Sequence, residues 1–447
     1  MPTFPQPPDV PAYVPREVTY GTEQIRGDGS NSYGGTPPAF EIEPPDHNET
    51  DDMTGWVIPG SYNKQTAAEG AGEGKFRTHA NFSHFGRDDP IRNYGQPDSA
   101  HWHMFFGNRS VNAFSTYKTL RMNPDSTAAG GRANGTGYWV PALLKVVDGK
   151  TYALPMNVAL IYYTQEMSKA LLNELVRLPR GLRYIAGVHM DDPQLTARKA
   201  EVAAANAANP SLGLRDPWDG WGGWMINPVG GGTLPIVNPG PGATATHSRY
   251  LVNPDGSDPW GGQVPANSEM YAVLNAPEWW DGYNLHADGG YDHFRFAVHS
   301  DGLGKRIGPQ GWWEVPQLQL SLQWYLAEAN EHLTLSLSSD PMLEAKLGVP
   351  NGKGGSMHFD WFGAWKYTVM LEFMRNSTGV EGFEPGLLQD STLSEANRLI
   401  SAGEAAPNGR FPQVNMANNQ FPAIPSRMML LPTGAGKGPA TILQKGS

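Results

Sequence analysis

The run Val315-Pro316-Gln317-Leu318-Gln319-Leu320-Ser321-Leu322-Gln323-Trp324-Tyr325 constrains the fold more than any other stretch, because its apolar residues fall at every second position. Side chains two apart leave an extended backbone on one side, so Leu318, Leu320, Leu322 and Trp324 share a face. Such a strand is half buried and needs antiparallel neighbours over a hydrophobic layer. His332-Leu333-Thr334-Leu335-Ser336-Leu337 repeats the alternation a few residues on, which predicts an antiparallel hairpin over residues 315–337. Further strands are expected at 138–147, 157–163, 270–274 and 293–298. Helices are expected at 165–178, 193–208, 361–375 and 393–400, with a short one running from Asp340-Pro341 to Gly348. Asp340 reads as an N-cap with Pro341 at N1, and Thr392 with Glu395 as a capping box. The four-residue spacing of Trp361, Trp365, Val369 and Phe373 reads as the core-facing side of a helix.

Many strands require many reversals, and the chain has the residues for them: 53 Gly and 39 Pro in 447 positions. The expected fold is therefore mainly β, an antiparallel β-sandwich-like (jelly-roll-like) domain with long Gly/Pro/Trp-rich loops and a few peripheral helices. Residues 1–74 read as an extended Pro/Gly-rich N-terminal arm, 75–375 as the β-rich domain with a Gly/Trp-rich insertion at about 209–268, and 376–447 as a C-terminal helix and extended tail. The arm has too little apolar periodicity to order itself. Its order is expected to come either from partner subunits, in a homo-oligomer or particle, or from wrapping its own domain.

A net charge of −11 opposes phosphate backbones and anionic headgroups, so nucleic acid is not an expected partner. No run approaches the length of a spanning helix, so membrane insertion is not expected, and Met1 to Pro8 lacks the pattern of a signal peptide. With no cysteine, any metal must be held by His, Asp, Glu or Asn.

His101-Trp102-His103 is the sharpest chemical feature: at strand spacing both imidazoles point one way and can converge on a ligand or a divalent metal. Further groups are available in His79, His84 and Asp88, in Asp292-His293, and in His358-Phe359-Asp360, again at strand spacing. His101, His103, His293 and His358 form the candidate metal set, with hydrogen-bonded histidines as the alternative. Asp281 beside Trp279 and Trp280 suits a sugar site, since indole faces stack on pyranose rings while a carboxylate acts as acid or base. A Trp-Asp-Gly turn explains the same residues. The candidate catalytic groups are thus His101, His103, Asp281, His293, His358 and Asp360, with Trp102, Asn108, Trp279 and Trp280 as candidate substrate contacts.

Phe76-Arg77-Thr78-His79-Ala80-Asn81-Phe82-Ser83-His84, Asp88-Asp89-Pro90-Ile91, Gly95-Gln96-Pro97 and His101-Trp102-His103-Met104-Phe105-Phe106-Gly107-Asn108 follow one another in an order that resembles the opening of the DUF1996 family. The resemblance continues through Tyr138-Trp139-Val140-Pro141-Ala142-Leu143, Trp280-Asp281-Gly282-Tyr283-Asn284-Leu285 and Ser356-Met357-His358-Phe359-Asp360-Trp361-Phe362, to about residue 365. It implies a secreted protein of the kind found beside carbohydrate-binding modules, and so a polysaccharide or glycan as partner. The chain departs from that family in lacking cysteines and in carrying Asp292-His293-Phe294-Arg295-Phe296 where a second histidine is expected. Two functions remain open: an extracellular or particle-surface glycan-directed protein, with a hydrolase of the glycoside-hydrolase kind as its catalytic form, and a non-catalytic structural or decorative subunit of a virion or surface assembly.

Overall fold

In the computed structural model the alternating run becomes the strand Gln317–Leu326, the centre of a five-stranded sheet. The model describes residues 6–25, 43–47, 74–128, 131–165, 178–189, 194–300, 305–367, 370, 429–430 and 441–443. Leu318, Leu320, Leu322, Trp324 and Leu326 are all fully buried, as period two requires. On one side the strand pairs with Ser268–Asn275 and on the other with Val158–Gln165, so that Leu320 lies between Leu274 and Ile161. Trp221–Asn227 and Gly74–Ala80 complete this sheet at its edges, every pairing antiparallel. Each leucine taken from water here contributes about 1.5–3 kcal/mol.

A six-stranded antiparallel sheet packs against that apolar face. Its order is Thr441–Leu443, Phe82–Gly86, His103–Gly107, Gly137–Pro141, His358–Phe362, Arg183–Gly187. Met104, Phe106, Tyr138, Val140, Tyr184, Phe359 and Trp361 point inward and share the main core with the five-stranded sheet. A hydroxyl hub ties the layers together: Tyr163 pairs with the Tyr138 hydroxyl at 2.8 Å and accepts from the Trp365 indole at 2.9 Å. The architecture is mainly β, antiparallel and sandwich-like, as expected. No described helix is long and apolar enough to cross a membrane.

The outer face of the six-stranded sheet is buried too. Phe105, Trp139, Ile185 and Phe362 point outward into a second core closed by Ile91, Val111, Tyr117, Leu120 and Tyr291. The capping-boxed helix Tyr117–Met122 and the loops around residues 91 and 291 supply that cover. A strand buried on both faces shows no alternation. His358–Phe362 is such a strand, and this corrects the helix expected over 361–375: Trp361 and Trp365 do reach the core, but Trp361 does so from a strand. Val369 and Phe373 lie outside the described residues, as do most of 165–178 and all of 393–400 with its capping box.

The expected hairpin over 315–337 does not form. Glu331–Thr334 is a 3₁₀ turn, and Leu335–Leu337 pairs with Leu143–Val147 instead. Glu331 explains the turn: its carboxylate is buried, receives Lys145 at 2.7 Å and accepts the Ala327 amide at 2.5 Å, so the chain must fold back on itself. The region 138–147 is two strands, broken after Pro141, and 293–298 contributes to two different small sheets. Gln194–Ala208 is helical as expected, and so is Asp340–Leu347 with Gly348 in the left-handed region at its C-cap. Ser339 rather than Asp340 is the N-cap residue. The Asp340 carboxylate is occupied elsewhere, accepting from Leu337 and Gly354 amides at 2.8 Å each.

The described parts of the arm pack on their own domain. Asp9 receives Arg183 at 2.6 Å and the Tyr117 amide at 2.7 Å, Val10 enters the main core, and Val14 exchanges two hydrogen bonds with the Asn284 side chain. Tyr20–Ile25 then adds a strand to Lys305–Pro309. Of the tail, Met429–Leu430 and Thr441–Leu443 also return to the domain as short strands.

Candidate functional site

Three sequence-distant stretches meet at one end of the six-stranded sheet, on its outer face. His103 opens the strand His103–Gly107 and lies opposite Pro141, and continuing the register of Asp360 with Trp139 by two residues sets His358 opposite Pro141 as well. The two histidines thus flank one proline across two strand spacings, roughly 10 Å between backbones. Their rings lean together over it to a centroid separation of 6.5 Å. His101, just before its strand, completes the group at 4.2 Å from the His103 ring and 5.2 Å from the His358 ring. One nitrogen from each of the three lies within 4.8 Å of the others, close enough for a single small cation to touch all three. Asp360 shares the outer face with His358, its Oδ2 lying 3.9 Å from His358 Nε2.

Backbone carbonyls set the orientation of two rings. His103 Nδ1 donates to the Asp88 carbonyl at 3.0 Å, and His358 Nδ1 donates to the Ser356 carbonyl at 2.9 Å. In both, Nε2 is then left as a lone-pair acceptor. Gly187 makes room for the arrangement: it has φ +94°, and a Cβ there would stand 2.8 Å from the His358 Cα and the Met357 carbonyl. His103, His358 and Asp360 are buried, whereas His101 is half-buried with its Nε2 enclosed, so the cluster nears the surface on the His101 side.

Burial dominates the electrostatics. It pushes His103 and His358 down to about 3 and His101 well below the ordinary imidazole value, the neighbouring histidines and Arg92 acting in the same direction. All three rings are therefore neutral near pH 7. Burial, reinforced by Asp89, raises Asp360 well above the carboxylate range, with Arg92 opposing.

The remaining candidates are placed elsewhere. His293 Nε2 bonds the Arg183 carbonyl at 2.9 Å. Arg183 pairs with Phe362 and Gly187 with His358, so His293 sits by the far end of that strand pair, about 13 Å away along it. Asp281 is engaged in a turn, its oxygens accepting from the Tyr283 and Asn284 amides at 2.9 and 2.8 Å and from the Asn284 side chain at 2.5 Å. Burial lifts it to about 6 despite those bonds. Trp279 and Trp280 are buried in a small three-stranded sheet and offer no indole face to a sugar. Asn108 is saturated: its amide donates to the Leu120, Asn123 and Gly135 carbonyls and its Oδ1 accepts from Ser110. His84 stacks on Phe105 at 4.6 Å and bonds Ser83. Trp102 is half-buried beside His101.

One residue near the cluster escaped the sequence reading. His189 follows Gly187 by two residues, is buried, stacks on Tyr291 at 3.8 Å, and has its ionisation suppressed by burial with Arg198 and His358 contributing. A lone histidine in a loop carries no spacing signal that links it to His358.

These elements fall within the stretch matched by a family model. The model of the domain of unknown function DUF1996 covers residues 89–365, more than half of the chain and every residue of the histidine cluster. No curated protein and no solved structure matches the chain. By the extent of that match the chain belongs to the DUF1996 family.

Proposed function

We propose that this chain is a hydrolytic protein acting outside the cell on glycans, with the cluster of His101, His103, His358 and Asp360 as its reaction centre. The observation that carries the reading is the convergence of three neutral imidazoles and a proton-avid carboxylate at one half-open spot on an otherwise dry sheet face. In this reading the histidine nitrogens hold and orient a water, Asp360 in its ionised form takes a proton from it as it attacks the anomeric carbon, the glycosidic C–O bond breaks, and the departing sugar oxygen takes a proton from solvent. Trp102 supplies the apolar face beside the His101 opening. The glycan part of the proposal rests on that half-buried indole, the acidic balance of the chain and the setting that the DUF1996 resemblance implies.

The test is release of reducing ends from a panel of soluble polysaccharides by the purified full chain. Activity should fall at least about 100-fold in Asp360→Asn with the fold retained by circular dichroism. Absence of release from every polysaccharide, or full activity in Asp360→Asn, overturns the proposal.

A further inference from the structure

The chemistry of the cluster is lopsided. His103 and His358 each spend their ring N–H on a backbone carbonyl, so what they turn toward one another is a lone pair. Among the described residues, His101 Nε2, His103 Nε2 and both Asp360 oxygens are buried with no hydrogen-bond partner in the protein. The lone pairs of His103 and His358 and the Asp360 carboxylate therefore lie close together, beside a His101 ring whose proton no backbone carbonyl fixes. An enclosed acceptor without a partner costs about 1–3 kcal/mol, more for a carboxylate, and facing lone pairs add repulsion. A proton on Asp360 satisfies at most one of them. A compact cation satisfies the three converging imidazole nitrogens together, and its charge offsets the cost of burying the carboxylate beside them.

We propose that His101, His103 and His358 hold a divalent transition-metal ion of the zinc class, with Asp360 as its charge-balancing carboxylate. The donor set selects the ion. Neutral imidazoles suit zinc, copper, iron and nickel, whereas calcium and magnesium take oxygen donors, of which this site has one carboxylate. The Asp88 and Ser356 carbonyls serve as the outer hydrogen-bond partners that metal-bound histidines regularly have, and they fix Nε2 as the ligating atom in two of the three. Zinc–nitrogen bonds of about 2.0–2.1 Å in a tetrahedron bring the nitrogens to about 3.3 Å apart. From their present spacing of within 4.8 Å, the half-buried His101 is the ring free to close that gap. Three protein nitrogens would leave one coordination position for a water or a substrate oxygen.

The ion does not depend on the hydrolytic reading, and the experiment separates the two. The full chain is stripped with chelator and titrated with Zn²⁺ by calorimetry and with Co²⁺ by visible absorption. One ion per chain is expected, with the intense d–d bands of a tetrahedral Co²⁺ centre. His103→Gln and His358→Gln should weaken Zn²⁺ binding by on the order of 100-fold or more, since even outer-sphere changes cost 10–100-fold. Because either variant can misfold in so buried a place, His101→Gln serves as the third, at the residue nearest the surface. Failure of the wild-type chain to bind either ion at 100-fold molar excess overturns the proposal. So does a folded His101→Gln protein that binds as tightly as wild type. Metal binding without polysaccharide hydrolysis would leave the centre standing and remove only the substrate class.

Discussion

Asn108 and Asp281 show what polar side chains do in a Gly-rich β protein: both are saturated by the backbone around them. Asn108→Ala should strip the buried Leu120 and Gly135 carbonyls of their donor and cost about 3 kcal/mol in urea unfolding, two or three lost buried bonds at about 1 kcal/mol or more each. The variant should bind Zn²⁺ as wild type does. A loss below 1 kcal/mol would show that Asn108 does not hold its loop. His101 with His103, and His358 with Asp360, were legible because period two places each pair on one face whatever its partner strand. That the pairs belong together was expected only from their grouping as one candidate set, since spacing cannot show it: it depends on both His103 and His358 falling opposite Pro141, a matter of register. Asn108, Trp279 and Trp280 were misread because a residue that serves its own loop has the same composition signal as one that serves a ligand.

Among the elements, the arm is held by charge as well as by contact. Arg183 is fully buried, stacked 3.8 Å over Phe362, and Asp9 is its carboxylate partner. Removing one member of a buried pair leaves the other uncompensated, typically at 3–5 kcal/mol. Asp9→Ala should therefore lower stability by about 3 kcal/mol, measured by chemical denaturation. A loss near zero would mean the arm is dispensable to the domain. Gly187→Ala is a sharper probe of the strand beside it. The left-handed backbone and the 2.8 Å approach to His358 leave no room for a methyl group, so the strand carrying His358 must shift. We expect lower stability together with weakened Zn²⁺ binding, and unchanged binding would show that the strand spacing does not set the site. The reading of the sequence succeeded for strands with one wet face, such as Gln317–Leu326, and failed at Trp361 and Phe362, taken as the start of a helix, because the two dry faces of their strand erase the alternation. It also assumed that neighbouring alternating runs pair with each other, and Leu335–Leu337 pairs with Leu143–Val147 instead.

Buried neutral histidines outside the cluster make the fold acid-sensitive. Burial pushes His84 down to about 4 and His293 to about 3, and lowers His286 as well. Below pH 6.5 the unfolded chain takes protons that these folded rings refuse, so their stabilisation is complete above that value and is lost as pH falls toward 3–4. Asp281 acts in the opposite sense over a narrower range: raised to about 6, it favours the protonated folded form, and that stability fades as pH rises from about 4 to 6. Asp88, Asp89, Asp292, Asp340 and Asp360 are raised by burial in the same sense, but the histidines lowered by burial are more numerous, with His189, His247 and His332 among them, and outweigh the carboxylates. Calorimetric melting at pH 7, 6, 5 and 4 should show a progressively lower midpoint, on the order of 1.4 kcal/mol per pH unit for each ring. A midpoint that is flat or rises toward pH 4 would contradict this account.

The six-stranded sheet lies between two dry cores, so its strands cannot bow toward water on either side. Donor atoms mounted on such a slab behave as a rigid gauge: two of the three imidazoles are clamped by sheet and carbonyl, and only His101 has play. A rigid gauge discriminates by radius. Ions that match it should exchange slowly and bind without remodelling the scaffold, and larger ones should be refused at the rim rather than accommodated.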